Sequence, residues 1–288
     1  MKHSDKSPAA SSQTTSTQPL LLIDGDLFLY RAAAAAEQET DWGDDVWSLS
    51  SDLKQAKKGF QNILDDICTE LGSFNFIVCL SDSKNFRHSV ASFYKSGRKK
   101  TRKPVGYKAL VEWCVETYRT TKRPELEADD CMGIIATMPT NKDSWIVSDD
   151  KDMKTIPCRL YRPQGRERLY IDNDEADRHF LMQCLTGDPT DGYKGLVGVG
   201  DKRAAAILGV RPCWELVEAA YLKAGHTYED ALQQARLARI LRWSEWDTDN
   251  QKVKLWCPEG KEENDAGNLR EDHEASDEGE QEDAQSKT

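Results

Sequence analysis

The chain has 288 residues, 31% of them charged, and a formal net charge of −11. This length suffices for one large core with a smaller subdomain. No stretch approaches the ~18 consecutive apolar residues of a membrane-spanning helix, and the first 18 residues lack the apolar centre of a secretory signal. We therefore expect no membrane association, a disordered lead-in over residues 1–18 and a cytoplasmic location.

Apolar runs separated by helical patterns dominate residues 19–173. Strands are predicted at residues 20–23, 74–80, 145–147 and 159–161, helices at 27–37 and 53–71, and a loop at 41–52. Strands alternating with helices favour an α/β fold with a mostly parallel central sheet flanked by helices.

From residue 174 the pattern becomes helical. Helices are predicted at residues 174–184, 202–208, 213–223 and 228–243, which we interpret as a helical subdomain over 174–258. Residues 259–288 contain twelve acidic and three basic residues, so the rest of the chain carries only about −2. This acidic tail has no apolar periodicity, and we expect it to be disordered.

The eight cysteines form no Cys-x-x-Cys pair, and several, such as Cys79 and Cys131, lie inside apolar runs. Buried thiols of a reducing compartment are favoured over disulfides or a zinc site.

Acidic residues recur in five clusters, three of them close behind predicted strands. Sites in open α/β sheets lie beyond the carboxyl ends of the strands, so these acids are expected to converge. Converging carboxylates repel one another unless cations or protons compensate them. The candidate metal ligands are Asp24, Asp82, Glu127, Asp129, Asp130, Asp150, Asp152, Asp188 and Asp191.

The type of metal follows from the ligands. An EF-hand is excluded because the loop after Asp150 lacks the required Gly and Glu, and the scarcity of His argues against zinc. Carboxylates suit Mg²⁺, so we predict two Mg²⁺ ions, replaceable by Mn²⁺, and a metal-bound water as the nucleophile. Taken alone, the acids at 125–130 are equally typical of any helix start.

A basic stretch follows the second predicted strand. Residues 83–109 contain nine Lys or Arg residues, no acid and four interleaved aromatic residues. Basic groups bind phosphates and aromatic rings stack on bases, so a nucleic-acid contact is favoured over a solvated loop.

A glycine-rich segment, Gly195-Leu-Val-Gly-Val-Gly200, precedes the predicted helix at 202–208. Glycines let backbone amides approach a phosphate at a helix start, and the position between two helices indicates a helix–hairpin–helix at about 188–208.

Together these blocks resemble the 5′-nuclease (flap endonuclease) superfamily, in particular podophage 5′→3′ exonucleases and the 5′-nuclease domain of bacterial DNA polymerase I. The matching segments are LLIDGDLFLYR (21–31), CLSDSKNFRHSVASFYKSGRK (79–99), ELEADD (125–130), VSDDKDM (147–153) and GDPTDGYKGLVGVGDKRAAAIL (187–208). The resemblance implies a PIN-like core with a helical arch at about 83–109.

The resemblance also implies residue roles. Lys95 and Arg98 would be catalytic residues of the arch, with Lys95 at the scissile phosphate. Residues matching DNA contacts are Arg31, Arg87, Tyr94, Gly198, Gly200, Lys202 and Arg203, and the hairpin would hold K⁺. Asp26 and Asp149 are extra acids beside matched ones, so the matches at Asp24 and Asp150 are open to a shift in position.

The function implied is a metal-dependent 5′→3′ exodeoxyribonuclease with flap-type endonuclease activity, acting as a monomer in a phage-infected host. Its partner is double-stranded DNA with a free or flapped 5′ end, with an RNA–DNA hybrid as a second substrate. The alternatives are a PIN-like ribonuclease, for which the arch and hairpin are not expected, and a non-catalytic DNA-binding protein, for which missing carboxylates are expected.

Overall fold

The computed structural model describes residues 18–97 and 102–258, so the lead-in up to residue 17 and the acidic tail lie outside it. In chain order the strands are β1 (Leu21–Asp24), β2 (Glu37–Asp41), β3 (Trp47–Ser51), β4 (Phe76–Cys79), β5 (Thr120–Thr121), β6 (Trp145–Val147), β7 (Cys158–Arg162), β8 (Glu167–Ile171), β9 (Trp246–Asp247) and β10 (Lys252–Val253).

Six of these strands form one sheet in the order β5-β4-β1-β6-β7-β8. The pairs β5–β4, β4–β1, β1–β6 and β6–β7 are parallel, and only the edge pair β7–β8 is antiparallel. The predicted mostly parallel sheet is confirmed. The edge strand β8 was not predicted from the sequence.

Helices cover both faces of the sheet and build the C-terminal half. They are α1 (Gly25–Ala35), α2 (Leu53–Leu71), α3 (Arg87–Val90), α4 (Tyr107–Thr117), α5 (Ala128–Ala136), α6 (Asn173–Thr186), α7 (Asp201–Leu208), α8 (Trp214–Lys223) and α9 (Tyr228–Ala238).

The central strand β1 is buried on both faces. Leu21 and Ile23 belong to the apolar cluster under α1, α2 and α4, whereas Leu22 belongs to the cluster under α5. Successive side chains of a strand point to opposite faces, so a continuous apolar run is what a sheet covered on both sides requires.

Helix α2 has the bounds that the sequence predicts. The Asp52 side chain accepts hydrogen bonds from the amides of Lys54 and Gln55, which caps the first turn. Gly72 ends the helix in the left-handed conformation, with φ of 65°.

Two predicted elements were wrong. Residues 37–51 form an antiparallel hairpin, β2–β3, where a loop was predicted over residues 41–52. The helix predicted at 228–243 ends at Ala238, after which the chain turns back to pack against α5 through Ile240 and Leu241.

The C-terminal helices enclose a third apolar cluster, which includes Tyr94 from the basic stretch. Between α6 and α7 the chain doubles back so tightly that Gly187 and Gly195 touch. A Cβ on Gly195 would lie 2.4 Å from the Gly187 nitrogen, so both positions require glycine.

All eight cysteines lie in the described part of the chain and are free thiols, five of them buried. Within residues 18–97 and 102–258, no helix is both long and apolar enough to cross a bilayer.

The packing of α5 against the C-terminal segment generates a stability prediction. A Cβ on Gly133 would lie 2.4 Å from the Leu241 carbonyl oxygen, whereas one on Gly59 of α2 would meet only the Ala32 Cβ at 3.8 Å. Gly133→Ala should therefore lower the free energy of unfolding by about 1–3 kcal/mol through overpacking. The control Gly59→Ala should raise it by up to ~1 kcal/mol. Urea denaturation measures both, and equal midpoints for the two variants would contradict the described packing.

Candidate active site

The carboxyl edge of the sheet collects the acids. Asp24 is the last residue of β1, and Asp149 and Asp150 follow β6 after Ser148. Strands β1 and β6 are parallel neighbours, so their carboxyl ends meet at the same edge. Glu127 caps the start of α5, which packs against β1, β4 and β6.

Asp24 lies at the buried centre of this edge. Its Oδ1 accepts from the Leu27 amide at 3.0 Å, and its Oδ2 accepts from the Ser148 hydroxyl at 2.6 Å. Burial, together with the charges of Asp26 and Asp150, raises the pKa of Asp24 to about 7. The carboxylate is thus oriented by the scaffold while its negative charge is uncompensated.

Asp129 faces the same region from α5. Burial raises the pKa of Asp129 well above its ordinary value, and the charges of Asp24, Asp150 and Glu127 add to the effect. Burial and the charge of Asp150 likewise raise the pKa of Asp152 to about 6. The charges of these acids raise one another's pKa values, as is usual for carboxylates that lie near one another.

Glu127 is linked to the loop after α6 by two residues of the basic stretch. The Tyr94 hydroxyl lies 3.0 Å from Glu127 Oε2 and 2.9 Å from Asp191 Oδ2. Lys95 Nζ donates to Glu127 Oε1 and lies 3.4 Å from Asp191 Oδ2. Burial alone would raise the pKa of Glu127, but Lys95 and Arg87 outweigh it and lower the pKa to about 2.

Asp188 joins the group through Lys151, which sequence reasoning missed. Lys151 Nζ lies 3.3 Å from Asp188 Oδ2, and the Thr190 amide donates to Asp188 Oδ1 at 2.7 Å. Burial alone would raise the pKa of Asp188, but this amide and the lysine lower it. The only sequence signal for Lys151 is its place between Asp150 and Asp152.

Arg87 lies in a buried network instead of at a DNA-accessible surface. Its guanidinium donates to both Asp130 oxygens at 2.7 and 2.8 Å and to the carbonyls of Leu237 and Arg239 at 3.1 and 2.6 Å. The residue is 2% exposed. The prediction that Arg87 contacts a DNA phosphate is therefore corrected, because the guanidinium has no exposed surface for one.

Asp130 is fully buried as the partner of Arg87. Its oxygens also accept from the amides of Glu127 and Leu241, both at 3.2 Å. These contacts use both oxygens within the scaffold, so the structure does not offer Asp130 as a metal ligand beside Asp129.

Asp82 is also engaged outside the repelling group. Its Oδ2 accepts from the Glu125 amide at 3.0 Å, and Lys122 lies 3.5 Å from its Oδ1. The backbone amides of Glu125 and Ser83 lower the pKa of Asp82. The structure places it at the turn that leads to α5.

The structure distinguishes between the neighbouring acids Asp24 and Asp26, and between Asp149 and Asp150. Asp149 pairs with Arg31 and accepts from the Gln164 amide at 2.9 Å, so it serves the scaffold and Asp150 faces Asp24. Asp26 accepts from the Ser81 amide at 3.2 Å, and burial raises its pKa. Asp24 thus lies at the centre of the group, with Asp26 beside it.

The remaining predicted DNA contacts divide into three groups. Arg31 is half-exposed beside Asp149, and Tyr94 is buried between Glu127 and Asp191. Arg98, which was predicted to be catalytic together with Lys95, lies outside the described residues. Gly198 and Gly200 are exposed in the hairpin before α7, and Lys202 and Arg203 are exposed in the first turn of α7.

The donor set fits a divalent cation by its chemistry, since it consists of hard carboxylate oxygens whose mutual repulsion a cation would relieve. As the side chains lie, no three His, Cys, Asp or Glu residues of the described ranges converge closely enough to hold one ion. Lys95 and Lys151 lie among the acids, so a cation would have to exchange places with them.

Comparison with known proteins places this arrangement in a family. Residues 19–175 match the family model described as the 5′-3′ exonuclease N-terminal resolvase-like domain, which is more than half of the chain. The chain belongs to the 5′-3′ exonuclease family. It is therefore a phosphodiester hydrolase with 5′-3′ exonuclease activity.

Relatives of this exonuclease extend over most of the chain. It is 29% identical to the exodeoxyribonuclease of Enterobacteria phage T3 over 282 residues, which cover 83% of this chain and 93% of the relative. The exonuclease of Escherichia phage T7 is also 29% identical, with the same coverage. The 5′-3′ exonuclease of Bacillus subtilis is 25% identical over 66% of this chain and 69% of the relative.

Among solved structures, the exonuclease resembles the bacteriophage T5 flap endonuclease in a pseudo-enzyme–product complex with DNA and metal ions. The TM-score is 0.56 at 17% identity, covering 76% of this chain and 88% of that chain. This likeness supports the fold.

The assignment of Arg87 to the scaffold can be tested by substitution. Arg87→Met leaves Asp130 buried without a counter-charge, which should lower the free energy of unfolding by about 3–5 kcal/mol. The control Arg159→Met breaks an exposed pair with Asp143 and should cost less than ~1 kcal/mol. Adding Asp130→Leu to Arg87→Met should restore part of the loss in urea denaturation. An unchanged midpoint together with lost DNA binding would return Arg87 to the DNA surface.

Proposed function

We propose that the chain is a divalent-metal-dependent 5′→3′ exodeoxyribonuclease that also cuts flapped 5′ ends of duplex DNA. The observation that carries the proposal is the set of acids at one sheet edge whose burial and mutual repulsion raise the pKa values of Asp24, Asp129 and Asp152. Such a charge distribution costs stability unless a ligand of opposite charge binds there.

We assign the cation-binding role to the acids that face this edge or the loop beside it, in keeping with the two Mg²⁺ ions expected from the sequence. When bound, the cations would lower the pKa of a coordinated water and stabilise the leaving oxygen. The residues in this set are Asp24, Glu127, Asp129, Asp150, Asp152, Asp188 and Asp191. Asp130 is left out because Arg87 and two backbone amides engage both of its oxygens. Asp82 is left out because the charges that raise the pKa values of Asp24, Asp129 and Asp152 come from other acids.

Lys95 is the residue we assign to the scissile phosphate. Its ammonium lies between Glu127 and Asp191, next to the acids, and its side chain is only 16% exposed. A cation held in a partly desolvated site stabilises charge that develops on a phosphate more strongly than one in water. The Tyr94 hydroxyl contacts the carboxylates of both Glu127 and Asp191. The backbone that carries Lys95 is therefore held in an ordered position.

The substrate follows from the family and the charge distribution. The T3 relative is an exodeoxyribonuclease, and the T5 structure contains DNA, which supports duplex DNA as the partner. We propose that the exposed hairpin with Lys202 and Arg203 binds the duplex backbone, with K⁺ at its carbonyls, and that the chain acts as a monomer. RNA of an RNA–DNA hybrid is a second proposed substrate.

The first test is cleavage of a 5′-labelled flapped duplex with Mg²⁺, Mn²⁺ or EDTA. The wild type should release labelled product with either ion and none in EDTA. Asp150→Asn should abolish cleavage while DNA affinity persists, because it removes one charge from the acidic edge. The control Asp143→Asn, an exposed acid that pairs with Arg159, should cleave normally. Normal turnover by Asp150→Asn would refute its metal role, and cleavage confined to RNA would favour a PIN-like ribonuclease.

The second test concerns Lys95. Lys95→Ala should reduce kcat by about 10²–10³-fold, comparable with the loss of one oxyanion-stabilising donor, while KM changes little. Single-turnover cleavage of the flapped duplex measures the chemical step. Lys223→Ala, which changes an exposed lysine at the end of α8, is the control and should retain the wild-type rate. Unchanged kinetics for Lys95→Ala would remove it from the mechanism.

A further inference from the structure

The hairpin β2–β3 is the part of the fold that the proposed function leaves without a role. Residues 37–51 contain five acidic residues and no Lys or Arg. The tip is exposed, with Trp42 at 70% and Trp47 at 60%. The base of the hairpin, in contrast, contacts residues 102–105, in the C-terminal part of the basic stretch.

The tie is made by Glu37, the first residue of β2. The Arg102 guanidinium donates to its two carboxylate oxygens at 2.7 and 3.1 Å, and the Val105 amide donates to Oε1 at 2.5 Å. The Glu37 side chain is 16% exposed although it belongs to a surface hairpin. A bidentate pair with a backbone contact fixes both position and orientation, so residues 102–105 are held against the hairpin.

Lys103 lies inside this fixed segment. Its ammonium is 4.8 Å from the centre of the Tyr107 ring, a cation–π geometry, and the residue is exposed. The Tyr107 ring is buried at the start of α4 and contacts Tyr30 of α1 at 6.3 Å between ring centres.

Ring contacts place Lys103 relative to the acids. Lys103 lies over Tyr107, and Tyr107 packs against Tyr30 of α1. Helix α1 begins at Gly25, directly after Asp24 of β1. Lys103 is therefore an exposed cation at the rim of the acidic edge, on the side of α1.

We propose that Glu37 is a positioning residue that, through Arg102, holds Lys103 where it binds a phosphate of the DNA strand entering the acidic site. The proposal rests on the proposed nuclease function and adds a second phosphate contact to it. The hairpin is acidic and would itself repel DNA. Its proposed role is therefore to hold the basic residues beside it in place. Lys103 would attract the phosphates of the entering strand. The acids beyond Lys103 would repel those phosphates until bound cations neutralise the acidic edge.

The test separates binding from cleavage. Affinity for a 5′-flapped duplex is measured by fluorescence anisotropy in EDTA at several salt concentrations. Lys103→Gln should reduce the slope of log K against log salt by about 0.7–0.9, the value for one phosphate contact. Glu37→Gln should lower the slope in the same direction, and in Mg²⁺ it should raise KM by about two- to five-fold with kcat unchanged. Asp45→Asn, which removes one charge from the hairpin tip, is the matched control and should match the wild type.

A charge exchange distinguishes positioning from direct binding. Arg102→Glu should weaken binding, and Glu37→Arg combined with Arg102→Glu should regain part of it because the pair is restored in reverse. Loss in Arg102→Glu with an unaffected Glu37→Gln would mean that Arg102 binds DNA itself, which overturns the positioning role. An unchanged salt slope in Lys103→Gln overturns the phosphate contact.

These outcomes are separate from failure of the nuclease proposal. If the nuclease proposal is wrong, the wild type itself would not cleave the flapped duplex with Mg²⁺, however the hairpin variants behave. The melting temperatures of Glu37→Gln and Asp45→Asn should agree within a few degrees. If only Glu37→Gln melts at a lower temperature, and the charge exchange does not restore binding, the role of Glu37 is structural only.

Discussion

Repulsion among carboxylates at the carboxyl edge of the sheet is the interaction on which the active end of this protein depends. Asp24 and Asp129 are held in a buried, like-charged environment, and their raised pKa values express the cost. The fold tolerates that cost because two rigid elements, β1 and α5, fix the backbone on which the acids stand. What lowers the cost locally is a small set of cations, Lys95 and Lys151, that reach in from neighbouring segments.

The acidic motifs divide into acids that support the scaffold and acids that face the site. In each of two pairs of neighbouring acids, one member forms an ion pair within the fold. Asp130 pairs with Arg87, and Asp149 pairs with Arg31. The other members, Asp129 and Asp150, remain near Asp24. Buried ion pairs contribute little net stability, but removal of one partner is costly, so these pairs are better understood as fixing geometry.

Sequence reasoning succeeded where one local rule decided the outcome. Helix α2 combines an amphipathic pattern with an Asp cap and a terminal glycine, and its bounds follow directly. It failed where tertiary contacts decided. Strand β2 (EQETD) contains no apolar residue, and β3 (WSLSS) offers only the short alternation of Trp47 and Leu49 with serines, so the local signal for a hairpin is weak. A motif likewise cannot tell that Arg87 is buried, because the carbonyls it contacts lie about 150 residues further along the chain.

The contacts of Glu127 connect these observations. Arg87 of α3, Tyr94 and Lys95 all contact this carboxylate, and the Lys95 amide donates to the Asp191 carbonyl at 2.7 Å. A phosphate that accepts from Lys95 would draw it away from Glu127 and leave the carboxylate more available to a cation. A cation on Glu127 would in turn leave Lys95 available to a phosphate. In the proposed mechanism, binding of the two ligands would then be linked with a positive coupling that acts equally in both directions. With such linkage, the acidic edge would be most stable when substrate and cation are both bound.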